Sequence, residues 1–211
     1  MKKIITVDGP AGSGKEKISR YIARKYKLYH LDSGILYRRL AYELVKKNIK
    51  TFEVDKIKKV IKNIKKLSLR KTQALRKEQI GKAASEIARL DFVRYFIKSQ
   101  QRLATKTPNK EKGFVVDGRD IGSVVFKRAF LILYVEVDVN IRAKRRYKQL
   151  IDNGEKSICL KILKDIKLRD KTDKTRKNSP LVVPRGAKII NNSDTFKKTI
   201  AQIRNIIEGI N

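Results

Sequence analysis

The run Val7-Asp8-Gly9-Pro10-Ala11-Gly12-Ser13-Gly14-Lys15 sets glycines and a lysine at the spacing GxxxxGK, which suits the cradling of a phosphate chain. Glycine at positions 9, 12 and 14 can take backbone conformations closed to other residues, leaving N–H groups free to converge on phosphate oxygens. A helix starting directly after the loop adds a partial positive charge, and Lys15 a full one. Gly9, Pro10, Ala11, Gly12, Ser13, Gly14, Lys15, Glu16 and Lys17 are therefore candidates for holding a nucleotide triphosphate. Ile4, Ile5 and Val7 read as a buried strand before the loop, and Ile18, Tyr21, Ile22 and Tyr26 recur at helical spacing after it. That context separates the motif from a glycine-rich turn that binds nothing. One position departs from the usual pattern: Glu16 stands where a Ser or Thr would ligate magnesium, and Lys17 follows it. A carboxylate beside phosphates either helps hold a cation or suits the positive end of the helix, and the frequency of acids in first turns favours the second reading.

Phosphoryl chemistry also needs arginines, whose planar forks pair with phosphate oxygens in a way lysine cannot. Arg38 follows a second short apolar strand, Arg94 a joint between helices, and Arg119 a third apolar strand, with Asp117 and Asp120 close on either side. Arg169 and Arg176 are seven apart with Asp173 between them, so a continuous helix puts all three along one face. An ordinary surface charge ladder is the alternative for this trio. Arg142, Arg145 and Arg146 either assist a triphosphate or are solvated helix charges. The single histidine, His30, lies inside a short strand and reads as structural. Cys159, the single cysteine, sits in the apolar run Ile158-Cys159-Leu160 and reads as core rather than nucleophile; it excludes an internal disulfide and fits a reducing compartment.

These residues need a scaffold. Leu28 to Leu31 reads as a strand ending at Asp32, and Gly34 to Lys47 as a helix with Leu36, Leu40 and Leu44 on one side. From about Asn48 to Leu75, Val54, Ile57, Val60, Ile61 and Ile64 predict one amphipathic helix and a short connection. Helices follow over about Lys77 to Arg89 and Phe92 to Lys106, with Asp91 placed to cap the second. The joint at Asp91 lets Ser85 and Arg94 face a common cleft. Strands are expected over Gly113 to Val116, Phe130 to Val137 and Lys188 to Ile190, and helices over Val139 to Leu150, Ile158 to Asp170 or slightly beyond, and Phe196 to Glu208. The alternation predicts an α/β fold, a parallel sheet flanked by helices, with ligands at the carboxyl ends of its strands.

A chain of 211 residues supports one domain with a good-sized core and an inserted lobe. Lys+Arg 53 against Asp+Glu 21 gives a formal charge of +32, which ordinarily points to a polyanion. The lysines are spread over every segment among abundant Ile and Asn, so compositional bias accounts for much of the charge, and only weak, salt-sensitive sticking to nucleic acid is expected. Aromatics are few and scattered, unlike a nucleic-acid module that would use the loop only to bind nucleotide. Met1-Lys2-Lys3 precedes too short an apolar run for a signal peptide, and no stretch approaches a membrane span; the expected setting is cytoplasmic.

Taken together, Asp8-Gly9-Pro10-Ala11-Gly12-Ser13-Gly14-Lys15, Leu31-Asp32-Ser33-Gly34 with Tyr37-Arg38, Asp117-Gly118-Arg119-Asp120-Ile121-Gly122, and Arg169-Asp170 with Asp173, Arg176 and Ser179-Pro180-Leu181 resemble bacterial cytidylate kinases over nearly the whole chain. The resemblance implies a P-loop kinase-type sheet with core residues 1–47 and 107–211, a short nucleoside-monophosphate-binding insert over about 48–106 and a small lid over about 158–181. It implies transfer of a phosphoryl group from ATP, with Mg2+, to CMP or dCMP by a monomer. Lys15, Arg119, Arg169 and Arg176 would be catalytic. Ser33, Arg38, Arg119 and Arg176 would engage phosphate or sugar of the acceptor; Ser85, Arg94 and Asp120 would read cytosine; Arg169 with Asp173 would meet the ribose hydroxyl or the transferring phosphate. A UMP or dephospho-coenzyme A kinase is the alternative within the class, and an inactive relic altered at Glu16 and Lys17 a further one. The insert is shorter than in relatives that carry a small β-sheet there, and Thr172 stands where many have arginine.

Overall fold

The computed structural model describes residues 3–106, 112–152, 154 and 158–210; Met1 and Lys2 of the N-terminal reading lie outside them. Five strands, β1 (Ile4–Asp8), β2 (Tyr29–Asp32), β3 (Phe114–Gly118), β4 (Leu131–Glu136) and β5 (Lys188–Asn191), form one sheet in the order β2-β3-β1-β4-β5. The pairings β1 with β3, β1 with β4 and β4 with β5 are parallel. Asp8 is in register with Gly118 on one side and Tyr134 on the other, so the loops leaving the central strands start from one edge. In an open parallel sheet that edge is where ligands bind.

The helices are α1 (Lys15–Lys25), α2 (Gly34–Lys46), α3 (Val54–Lys62), α4 (Glu78–Ile87), α5 (Asp91–Thr105), α6 (Val139–Asp152), α7 (Cys159–Thr175) and α8 (Phe196–Glu208), with a 3-10 turn at Gln73–Arg76 and a π-helical turn at Ile121–Val125. The chain divides into two compact units, Met1–Leu31 with Glu111–Asn211, and Asp32–Lys110. In the first, Ile5, Val7, Val115, Leu133 and Val135 of the sheet pack with Ile18 and Ile22 of α1 and Ile203 and Ile207 of α8. Near-continuous apolar strands are what a sheet covered on both faces requires. The second unit has its own core of Leu36, Leu40 and Leu44 from α2, Ile57 from α3, Ile80 and Ile87 from α4, and Val93 and Ile97 from α5. Because the leucine stripe of α2 faces this core, the unit begins at Asp32 and takes in more than residues 48–106.

Several local expectations need correction. Asp91 does not cap α5: Leu90 occupies the N-cap position and Asp91 is the first helical residue, where its charge favours the helix's positive end. The helix expected between 48 and 75 is confined to Val54–Lys62, and Leu67 is held instead by its backbone N–H donating to Gln100 Oε1 at 2.9 Å. The run around Cys159 is not core. Ile158 and Leu160 are 66% and 76% exposed, and only Ile162 and Ile166 of the apolar residues on α7 are buried, against Ala143 of α6. In an amphipathic helix the 3.6-residue period decides which apolar residues face inward, and positions 162 and 166 are one turn apart.

Candidate active site

The loop after β1 is held by its carbonyls. Lys15 Nζ donates to the Pro10 oxygen at 3.1 Å, Arg142 Nη1 to that of Ala11 at 3.0 Å, and Asn192 Nδ2 to that of Ser13 at 2.8 Å. Gly14, the N-cap of α1, has φ +80°, and a Cβ there would come within 2.5 Å of Asn192 Nδ2. Glycine is thus required at position 14 by conformation and by space. The Ser13 hydroxyl is buried with no hydrogen-bond partner among the described residues, which suits a loop built to surround an acceptor-rich ligand. Glu16 lies in the exposed first turn of α1, where it accepts from Arg20 Nη2 at 2.6 Å. Lys17 Nζ stands 4.1 Å from the centre of the Phe196 ring.

At the edge of the sheet, Asp8 is fully buried and accepts from the backbone N–H groups of Ile121 and Gly122 at 2.9 and 2.7 Å. These bonds tie the phosphate loop to the turn that follows Arg119 and Asp120. A Cβ at Gly122 would meet Ile132 and Thr6, so the turn sits directly on the sheet. Burial pushes the Asp8 carboxyl up to about 6; the two N–H groups oppose the rise, Asp120 adds to it and Lys15 counters it. Burial also pushes the Lys15 ammonium down to about 7, assisted by the positive charges of Arg119 and Arg169 and opposed by Asp117 and Asp173. His30 contacts Asp117 at 2.6 Å, linking β2 to β3, the structural role expected of it.

Arg119, Asp173 and Arg176 meet. Arg119 Nε donates to Asp173 Oδ2 at 3.1 Å and Arg176 Nη1 to Asp173 Oδ1 at 3.0 Å. Burial alone would raise the Asp173 pKa, but Arg119, Arg176 and Arg169 outweigh it and hold the carboxyl below the usual carboxylate range. Arg169 and Asp173 lie on α7, while Arg176 is its C-cap with extended backbone, so the trio does not share one continuous helix. The Ser179-Pro180-Leu181 turn compensates. Ser179 O accepts from Arg176 Nε at 2.6 Å, and the Leu181 N–H donates to Asp173 O at 2.7 Å. Asp120 is buried, and its backbone oxygen accepts from Val124 and Val125.

The second unit holds Ser33, Arg38, Ser85 and Arg94. Ser33 is buried at the N-cap of α2, where Asp32 Oδ1 accepts from the Gly34 N–H at 3.1 Å. Lys71 Nζ lies 2.8 Å from Asp32 Oδ2. Arg38 Nη1 donates to Leu75 O at 2.7 Å, and its guanidinium lies so close to Gly81 that a Cβ there would approach it within 3.1 Å. Ser85 follows Gly81 by one turn of α4. Arg94 bends back over the joint to donate to Ala88 O at 3.0 Å and stands 5.8 Å from the Tyr37 ring centre.

Sequence reasoning missed Asn192 and Lys71, named Asp170 within the Arg169-Asp170 motif without giving it a role, and left Arg142 undecided. Arg142 is buried and donates to the Val137 and Ala11 carbonyls and to the Asp170 carboxylate, Arg145 donates to the Asn192, Ser193 and Asp194 carbonyls, and Arg146 donates to Gln149 Oε1. No motif marks Asn192, whose contact with the Ser13 oxygen spans 179 positions.

The cytidylate kinase family model matches residues 5–210. A cytidylate kinase from Bartonella bacilliformis is 38% identical over 193 residues, covering 90% of this chain and 87% of that protein. One from Rickettsia akari is 38% identical over 206 residues, covering 97% and 91%. Among solved structures, a shikimate kinase from Bacteroides thetaiotaomicron aligns with TM-score 0.52 at 12% identity over 98% of each chain. A gluconokinase from Sinorhizobium meliloti aligns at 0.50 with 13% identity, over 99% of this chain and 95% of that one. At such identities the structural likeness bears on the fold alone.

Proposed function

This chain belongs to the cytidylate kinase family, and from that membership we propose that it transfers the terminal phosphoryl group of ATP to CMP or dCMP, giving ADP and CDP or dCDP. The observation that carries the mechanism is the electrostatic grouping of Lys15 with Arg119 and Arg169, and of Arg119 with Asp173 and Arg176, within one compact unit. Phosphoryl transfer asks the protein to position two phosphate chains and to neutralise charge rather than to form bonds. The acceptor is itself a phosphate, largely deprotonated at neutral pH with a second pKa of about 6. No general base is needed, in keeping with a sole histidine engaged by Asp117.

In this reading, the loop from Gly9 to Lys17 binds the triphosphate, and Lys15, Arg119, Arg169 and Arg176 stabilise the charge in flight. Ser33, Arg38, Arg119 and Arg176 take the acceptor's phosphate or sugar, and Asp173 with Arg169 the ribose or the transferring group. Ser85, Arg94 and Asp120 read cytosine, whose amino donor beside acceptor atoms matches a carboxylate, a guanidinium and a hydroxyl. The unit Asp32–Lys110 serves as the acceptor-binding insert, and residues 158–181 close as a lid that excludes water. A magnesium ion bound with ATP would supply charge neutralisation at the phosphates. Glu16, whose carboxylate accepts from Arg20, is read as complementing the positive end of α1 rather than as a ligand of that ion. No helix among the described residues is long and apolar enough to cross a membrane, and we read the enzyme as a cytoplasmic monomer.

The test is ADP release measured across CMP, dCMP, UMP, AMP and dephospho-coenzyme A. We expect CMP and dCMP to exceed UMP, whose ring reverses the donor pattern. Equal turnover of AMP and CMP would contradict the reading, and preference for dephospho-coenzyme A would replace it.

A further inference from the structure

Arg142 is 4% exposed, and each of its three guanidinium nitrogens is directed to a different element. Nε donates to Val137 O at 3.1 Å, Nη1 to Ala11 O at 3.0 Å, and Nη2 to Asp170 Oδ2 at 2.6 Å. We propose that Arg142 and Asp170 form the link through which an occupied phosphate loop aligns α7 for phosphoryl transfer, which makes both of them positioning residues. The proposal rests on the kinase reading above and extends it to two residues that this reading assigns to neither nucleotide.

Peptide planarity gives the loop end of the link. In a trans peptide the carbonyl and the following N–H point in opposite directions. Drawing the Ala11 oxygen toward Arg142 therefore turns the Gly12 N–H away from α6, and Asn192 does the same to the Gly14 N–H through the Ser13 oxygen. An anion bound by those N–H groups fixes the same peptide planes that Arg142 grips. The guanidinium is a rigid planar fork, so a shift of the Ala11 oxygen is passed on to Asp170 rather than absorbed.

The α7 end follows from helical spacing. Asp170 precedes Asp173 by three residues, so the two are neighbours on the helix surface: Asp170 engages Arg142, and Asp173 engages Arg119 and Arg176. The other Asp170 oxygen, Oδ1, is buried with no hydrogen-bond partner among the described residues, so the carboxylate depends on Arg142. A movement of α7 that disturbs one carboxylate disturbs the other, and with it the guanidinium pair. A contact that served packing alone would change the melting temperature and leave turnover per folded molecule untouched.

The experiment uses the full chain with Asp170→Asn, which keeps shape and an acceptor but not the charge, and Arg142→Lys, which keeps charge but cannot bridge the loop and α7 with one fork. For both we expect kcat with CMP to fall about tenfold or more while KM for ATP stays within about threefold, the pattern of a lost transition-state interaction. Hydrogen exchange with and without a non-hydrolysable ATP analogue supplies a readout that needs no acceptor. In the wild type the analogue should protect both the loop and α7; in the variants loop protection should persist and α7 protection vanish. Unchanged kcat with only a lowered melting temperature would overturn the proposal, as would α7 protection that survives in Asp170→Asn or is missing from the wild type. If the wild type fails to phosphorylate CMP, the functional reading falls, and the exchange comparison still decides the link. Should one variant not fold, the other carries both measurements.

Discussion

Replacing Asp173 by Asn removes a negative charge that Arg119 and Arg176 share while leaving the side chain's shape. The carboxylate is 8% exposed and accepts from both guanidinium groups at 3.1 and 3.0 Å. Breaking a buried pair by deleting a partner costs about 3–5 kcal/mol. Asn keeps one oxygen acceptor, and Arg119 retains some solvent contact, so about 2–3 kcal/mol is the expected loss at pH 7. For a chain of this size each kcal/mol shifts the melting temperature by about 2–4 °C, so a fall of about 4–12 °C should appear by circular dichroism or dye-monitored melting. Sulfate should raise the variant's melting temperature more than the wild type's, because an anion between two guanidinium groups replaces the lost charge. The pH dependence has a definite sign. The folded pKa of Asp173 lies below its ordinary value, so its contribution is complete above an unfolded pKa of about 4 and fades as pH drops through the lowered folded value. The gap between wild type and variant should therefore close on acidification below about pH 4. Melting temperatures within a degree of each other at neutral pH, or a gap that widens in acid, would refute the compensation argument.

Lys15→Met should lower kcat by about 10²–10³ or more, as loss of a preorganised donor to developing phosphate charge does. Glu16→Ser should stay within about tenfold, a barrier change of about 1.4 kcal/mol; a hundredfold loss in steady-state assays would make Glu16 a working metal ligand. With the Lys15 ammonium pushed down to about 7 before nucleotide binds, an ATP analogue bound at pH 8 should draw in protons as the ammonium recharges. Calorimetry in buffers of differing ionisation enthalpy reads that uptake, and Lys15→Met should abolish it. Gly14→Ala forces a Cβ onto Asn192 and strains a left-handed residue, so analogue affinity should fall about thirtyfold to a hundredfold, or about 2–3 kcal/mol; titration of the analogue would detect an unchanged affinity just as clearly.

The elements that periodicity could resolve were legible in the sequence. Ile18 and Ile22 on α1, the leucine stripe of α2 and the apolar strands all fall where spacing predicts, because burial of one face leaves a direct trace in residue order. The phosphate loop was legible for a related reason: its chemistry is compressed into one short run. The rest of the site is not local. Asn192 meets the Ser13 oxygen across 179 positions and Arg142 meets Asp170 across 28, and neither leaves a pattern in a single sequence. The error at Ile158 to Leu160 has another origin. Three apolar residues in a row look buried, but a helix that packs through one stripe can bury only some of them.

The large positive charge becomes intelligible once exposure is considered with charge. The cations with the least exposed surface among the described residues are arginines, Arg94 and Arg142. A desolvated charge must be matched by carboxylates or carbonyls, and the two have such partners in Ala88, Val137, Ala11 and Asp170. Exposed lysines are screened within about 10 Å at ordinary salt. They contribute to solubility and loose anion attraction but little to the field within the phosphate loop. Raising salt should therefore weaken any adventitious nucleic-acid binding steeply while leaving KM for ATP much less affected. A parallel collapse of both would mean that the surface lysines, and not the fixed arginines around Lys15, supply the charge that captures the nucleotide.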